Sequence, residues 1–95
     1  MNYFVYILYS HNFKRTYTGQ TDNLDNRLTL HNSRKVQSTK HYIPWILIHS
    51  ESFPSRAEAM NRGNWFKSSA GKKKIAEILK KFYEAEGNGL SVSSQ

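Results

Sequence analysis

The apolar residues of this chain fall into short clusters separated by polar and basic stretches. Tyr3 to Tyr9 is rich in Val, Ile, Tyr and Phe, which predicts a strand. It is apolar at successive positions, the pattern of a strand buried on both faces. Arg15 to Gln20 predicts a second strand, and the short polar link between the two implies an antiparallel hairpin. Leu24, Arg27, Leu28 and His31 then follow the i, i+3, i+4, i+7 spacing of one helix face. Asp22 is the expected N-cap, with Asp25 in a capping-box-like place, and the helix should end near Asn32-Ser33. Arg34 to Tyr42 is polar and basic and reads as a loop. Pro44 opens a third strand, Trp45 to Ser50. Trp45, Leu47 and His49 are expected on one of its faces, Ile46 and Ile48 on the other. Ser55-Arg56-Ala57-Glu58 is a capping box that starts a helix running to about Lys67. Ser68 to Gly71 is expected to break the chain. Lys72 to Tyr83 predicts a last helix with Ile75, Ile78, Leu79 and Phe82 as its apolar stripe.

The order is therefore β-β-α-β-α-α. It describes an α+β fold, a small three-stranded antiparallel sheet flanked by helices. Residues 1–84 form the expected domain. Residues 85–95, rich in Gly, Ser and Asn, are expected to be a disordered tail.

Composition narrows the function. Fourteen Lys and Arg face seven Asp and Glu, a net charge of +7. Such a balance favours a polyanionic partner, most simply nucleic acid. The absence of cysteine excludes disulfides and thiolate metal sites. No run approaches the roughly 20 apolar residues of a membrane-spanning helix, and Met1 leads directly into a strand pattern. The expected location is the cytoplasm.

Four residues then suggest chemistry. Tyr6 and Tyr17 sit on adjacent strands, with Gly19 ending the second, where glycine permits a bend or a close approach. Arg27 shares the apolar helix face with Leu24 and Leu28, so its head group must find an anion or carbonyl near the sheet. His31 lies one turn further on. Taken singly, each tyrosine is explained as well by packing, and His31 by capping or exposure. Together they could hold a phosphate and manage a proton.

This arrangement resembles the GIY-YIG nuclease superfamily, in particular its small single-domain bacterial branch, over residues 3–82. Val5-Tyr6-Ile7 stands at the GIY element and Tyr17-Thr18-Gly19 at the YIG element. Gly19 to Leu24, Arg27-Leu28 and His31-Asn32 look like the helix that follows. Ser38-Thr39-Lys40, Pro44-Trp45, Leu47 and Ser55 to Met60 continue the match in order and spacing. The resemblance implies a metal-dependent DNA endonuclease ancestry. Tyr6 would deprotonate or orient the attacking water, with Tyr17 in support. Arg27 would stabilise charge on the phosphate, and His31 would assist proton transfer. A Mg²⁺ or Mn²⁺ ion would bind the scissile phosphate. Basic residues, with Lys67, Lys72, Lys73 and Lys74 as candidates, would hold the DNA backbone. The lysines have a simpler reading too, as a solvated helix face.

One position departs from the pattern. The branch resembles Ala-Met-x-Arg-Glu-x-x-x-Lys-Ser where this chain has Ala59-Met60-Asn61-Arg62-Gly63-Asn64-Trp65-Phe66-Lys67-Ser68. Gly63 stands where the metal-binding glutamate is expected. Glu58, five residues earlier, points roughly 140° away around a helix. The expectation is a domain with little or no cleavage activity. The alternative is a non-catalytic nucleic-acid-binding module, and a protein-interaction domain with an acidic partner is a third reading.

Overall fold

The structure, a computed structural model, describes the backbone of residues 2–94 and the side chains of residues 2–86. Its elements are strand β1 (Tyr3–Ser10), strand β2 (Arg15–Thr21), helix α1 (Leu24–Asn32), strand β3 (Ile46–Phe53), helix α2 (Arg56–Phe66) and helix α3 (Ser69–Ser94). The order is the expected β-β-α-β-α-α. The tail expected over 85–95 lies almost wholly outside the described side chains.

The sheet order is β2-β1-β3, with both pairings antiparallel. The central strand is the most apolar one, because only a central strand covered on both faces can bury every side chain. Val5 to Tyr9 are all at most 2% exposed. Val5 and Ile7 pack with Ala59 and Phe66 of α2 and with Ile75 and Ile78 of α3. Tyr6 and Leu8 point to the other face and pack with Trp45, Tyr17, Leu24 and Leu28. The fold thus has three layers: α1, the sheet, and α2 with α3. At the far end of β1 the Tyr9 hydroxyl bonds that of Tyr83, and the two rings meet edge to face at 5.7 Å. Burial first, and then Tyr83, push the Tyr9 phenol up to about 12.

Four local expectations need correction. The N-cap of α1 is Asn23, not Asp22: its side chain accepts the Asn26 N–H at 3.0 Å. The strand pairing extends to Thr21, opposite Phe4, so Asp22 falls in the turn. Thr21 Oγ1 then takes the Asn23 N–H at 3.1 Å. Second, β3 does not alternate along its length. Ile7 pairs with His49 and Leu8 with Leu47, which leaves Ile48 as the extra residue of a bulge. Ile48 packs among the α2/α3 core, and the His49 ring meets Phe66 at 6.0 Å, so both share the α2/α3 side. Trp45 precedes the strand. Third, the loop before β3 is not featureless, since Lys40–Tyr42 make a 3-10 turn and the Ile43–Pro44 peptide is cis.

The last correction concerns the break between α2 and α3. It is confined to Lys67 and Ser68, and Gly71 lies inside the first turn of α3. Ser68 caps that turn, its Oγ accepting the Gly71 N–H at 3.2 Å and its carbonyl the Lys72 N–H at 2.8 Å. Gly71 is present for contact. A Cβ there would collide with the Trp65 carbonyl oxygen and the Phe66 Cα. Gly63 is the opposite case, with no neighbouring atom within 4 Å of the position its Cβ would take.

These two glycines give contrary predictions. Gly71→Ala forces α3 away from the end of α2 and should cost about 1–3 kcal/mol, as overpacking typically does. Gly63→Ala meets open space in a helix interior and should stabilise by roughly 0.5–1 kcal/mol. Urea unfolding of both variants beside the parent checks the two signs.

Candidate functional site

The candidate site is built on the α1 side of the sheet. Antiparallel pairing puts Tyr6 opposite Gly19 and Leu8 opposite Tyr17, so all four share one face. The Tyr6 ring lies directly over Gly19. A Cβ at position 19 would collide with the Tyr6 hydroxyl and lie 2.9 Å from the Tyr17 ring. Glycine is required here by close approach.

Helix α1 delivers His31 and Arg27 above these rings. The Tyr6 hydroxyl and His31 Nε2 are 2.9 Å apart, and His31 Nδ1 is 2.7 Å from Thr39 Oγ1. Both His31 and Thr39 are buried. Trp45 closes the chain of contacts by donating its indole N–H to the Thr39 carbonyl at 3.0 Å. Asn32 clamps the Trp45 backbone, donating to its carbonyl at 2.9 Å and accepting its N–H at 2.6 Å. The Tyr17 ring stands 5.0 Å from His31 and 6.2 Å from Tyr6. Tyr6, Tyr17, Gly19, Arg27 and His31 are therefore brought together from three elements. Thr39, Asn32 and Trp45 support them. The sequence signals for that support were the His31-Asn32 pair on a helix end and the Ser38-Thr39-Lys40 and Pro44-Trp45 segments of the motif order, none of which assigned these residues a role.

The electrostatics suit proton control. Burial raises the Tyr6 phenol above its ordinary 10.0, with Tyr17 adding to the rise, while the Arg27 guanidinium pulls the other way. The Tyr6 hydroxyl thus keeps its proton at neutral pH. Burial, helped by Arg27, lowers His31 below its ordinary 6.5, so the imidazole is neutral. A neutral imidazole against a protonated phenol is a pair in which His31 Nε2 accepts the phenol's hydrogen bond and each group keeps its own protonation state. Arg27 supplies the charge, and its Nε is buried without a hydrogen-bond partner.

The basic residues divide. Lys67 and Lys72 line a cleft of about 410 Å³ with Thr16, Tyr17 and Thr18 of β2 and with Phe66 and Ile75, so it opens on the α2/α3 side of that strand. Lys74 faces a different groove, between β3 and α3, and pairs with Glu77 at 3.8 Å. Lys73 is exposed beside neither. Helical rotation separates Lys72 from Lys74 by roughly 200°, so the consecutive run does not act as one patch.

The carboxylates of β3 and α2 are engaged elsewhere. Position 63 offers no donor atom. Glu51, on β3, is held by Arg62 at 2.7 and 3.2 Å and by His49 at 2.8 Å. Its carboxyl loses solvation on burial, but the hydrogen bonds from Arg62 and His49 outweigh this and hold it below the usual range. Glu58 accepts from the Ser55 hydroxyl at 3.0 Å. Among the described residues, no three His, Asp or Glu side chains cluster as a metal site would need. The residues present do not fit a divalent cation beside Tyr6 and Arg27.

A three-stranded antiparallel sheet with two facing tyrosines, and a following helix that brings Arg and His above them, defines a domain of the GIY-YIG nuclease superfamily. The model of the GIY-YIG catalytic domain matches residues 2–83, and the chain belongs to that family. It is 37% identical over 79 residues to the UPF0213 protein YsiG of Lactococcus lactis subsp. lactis, covering 82% of this chain and 75% of that protein. It is 36% identical over 63 residues to the UPF0213 protein SH2523 of Staphylococcus haemolyticus, covering 65% and 77%. The solution NMR structure of the UPF0213 protein BH0048 from Bacillus halodurans matches with a TM-score of 0.50 and 33% identity. That match covers 82% of this chain and 85% of BH0048. The UPF0213 names carry no activity. Among the described residues no helix is long and apolar enough to cross a membrane.

The lowered His31 predicts a pH signature. The folded state binds this proton less readily than the unfolded chain, so stability is full above about 6.5 and falls as pH drops from there toward the folded value. Glu51, also lowered, contributes stability that is lost only as pH falls below its ordinary 4.5. Urea titrations between about pH 7 and 5 should therefore show a loss of stability that is smaller in His31→Gln.

Proposed function

We propose that this chain is a GIY-YIG domain that binds the phosphodiester backbone of DNA and has little or no cleavage activity as written. Arg27 and the Lys67/Lys72 rim carry the anion contacts. Tyr17 walls the site between them, and Tyr6, held by His31, orients a phosphate oxygen or water. Enzymes of this superfamily are generally metal-dependent. The observation that carries the proposal is at position 63, where a side chain would enter open space and none is present. The nearest acid on the neighbouring strand, Glu51, is already spent on Arg62 and His49.

Binding without hydrolysis is consistent with the charge. Lys67 and Lys72 flank the same cleft as Tyr17, and neither has a salt-bridge partner among the described residues. Each phosphate neutralised by such a cation releases counterions, so affinity should fall steeply with salt. The cytoplasm and a DNA partner belong to the same proposal.

Two measurements test it together. Branched, single-stranded and duplex DNA incubated with Mg²⁺ or Mn²⁺ should remain uncut, and binding should need no metal. Lys72→Ala should reduce the slope of log affinity against log salt by about 0.7–0.9, the contribution of one phosphate contact. Gly63→Glu should gain Mn²⁺ affinity in a calorimetric titration. Robust cleavage by the parent that Arg27→Ala abolishes would sink the loss of activity, and an affinity indifferent to salt would sink the binding.

A further inference from the structure

The tip of the β1–β2 hairpin presents a feature that neither packing nor the site above uses. Its four-residue turn, 11–14, joins Ser10 to Arg15, which pair across the strands. Phe13, on this turn, is 49% exposed. A large ring half exposed at a turn gives up about half of its burial energy. Its partner is Tyr42, from the 3-10 turn before β3, met edge to face at 5.4 Å. The Arg15 guanidinium lies over the Tyr42 ring, 4.3 Å from its centroid.

Cations neighbour these rings along the chain, and Arg15 also lies over one of them. Lys14 and Arg15 come from the hairpin, Lys40 from the same turn as Tyr42. No Asp or Glu occurs in residues 1–21 or 26–50, so neither segment supplies a carboxylate. Lys14 holds a left-handed backbone, φ 55°, where glycine would be unstrained. A cation thus stands at a position whose backbone alone would favour another residue.

The rings continue inward. Tyr42 and Trp45 stand 6.4 Å apart, Trp45 and Tyr17 6.3 Å, and Tyr17 reaches His31 at 5.0 Å. Phe13, with the half-buried Tyr42 behind it, is therefore the outer end of an aromatic run whose inner end is the candidate phosphate site.

From this geometry we propose that Phe13 and Tyr42, with Lys14, Arg15 and Lys40, form a stacking platform for an unpaired base of single-stranded DNA. The inference rests on the DNA-binding reading above and adds a preference for unpaired strand. The exposed Phe13 ring offers a π-face to any base, Tyr42 supports it edge-on under Arg15, and the adjoining cations hold the flanking phosphates. A base inside a duplex is already stacked on its neighbours and is not available to the rings. The platform therefore discriminates strand state, and does so without reading sequence.

The test uses the full chain and two oligonucleotides of equal length, a single strand carrying 2-aminopurine and a blunt duplex. The single strand should bind more tightly and its 2-aminopurine emission should be quenched. Phe13→Ala should weaken single-strand binding about fivefold or more, the loss of one stacked base, and should abolish the quench. Its duplex affinity should stay within about twofold, because phosphate contacts are untouched. Phe13→Trp should retain the single-strand affinity and Phe13→Leu should not. Equal losses on both DNAs, or no loss on either, overturns the platform while leaving the binding reading intact. Failure of the parent to bind either DNA removes the binding reading and the platform with it. Tighter binding of an RNA strand of the same sequence overturns the assignment to DNA.

Discussion

The Tyr6 hydroxyl has one partner, and much of this fold is arranged to provide it. A phenol buried in the centre of a sheet must hydrogen-bond or cost about 1–3 kcal/mol. The strand cannot supply that bond, because its own polar groups are spent on the ladder. His31 supplies it at 2.9 Å from a different element, so α1 must cross the sheet at one height and one rotation. Thr39 then fixes the second nitrogen of that ring, Trp45 fixes Thr39, and Asn32 fixes Trp45. The loop between α1 and β3 is in this way ordered by polar contacts. Gly19 belongs to the same constraint, since the ring can reach His31 only if nothing stands beneath it.

The opposite face is held by different physics. There Val5, Ile7, Ala59 and Phe66 form an apolar core, and α2 and α3 meet so closely at Gly71 that no side chain fits between them. Glu51 is drawn into this side by Arg62, which also lies over the Trp65 and Phe66 rings. A carboxylate engaged by two cationic or hydrogen-bonding partners is committed to structure. The domain therefore has a polar, hydrogen-bonded face and a packed face. Position 63, on the packed side, carries no side chain, and the packing does not demand this, because the position is open.

Charge sets what the polar face can meet. Arg27 brings it a guanidinium whose Nε lacks a partner, while Lys67 and Lys72 border a cleft on the α2/α3 side of β2. A desolvated guanidinium is most favourable beside an anion. Phe13 at the hairpin tip extends an aromatic run outward through Tyr42 and Trp45 to Tyr17.

Much of this was legible in the residues. Alternation and apolar runs give the element order and the central place of β1, because burial on two faces demands an uninterrupted apolar strand. Spacing gives Arg27 and His31 one helix face, and the motif order gives the family. Other features needed the third dimension. The bulge at Ile48 puts Ile48 and His49 on one side, which no period-two pattern foretells. Gly71 looks like a helix breaker in sequence and proves to be a contact between helices. The lysine run from 72 to 74 looks like one patch, and helical rotation divides it. Asn23 displaces Asp22 as a cap because the strand before it runs one residue longer. By itself the sequence determined which elements form and which chemistry the tyrosines, arginine and histidine offer, since local spacing and residue type fix both. Only the tertiary structure decided that Tyr6 is bound to His31, that Glu51 is spent, and that position 63 is open, because each depends on groups far apart in the chain meeting at a few ångströms.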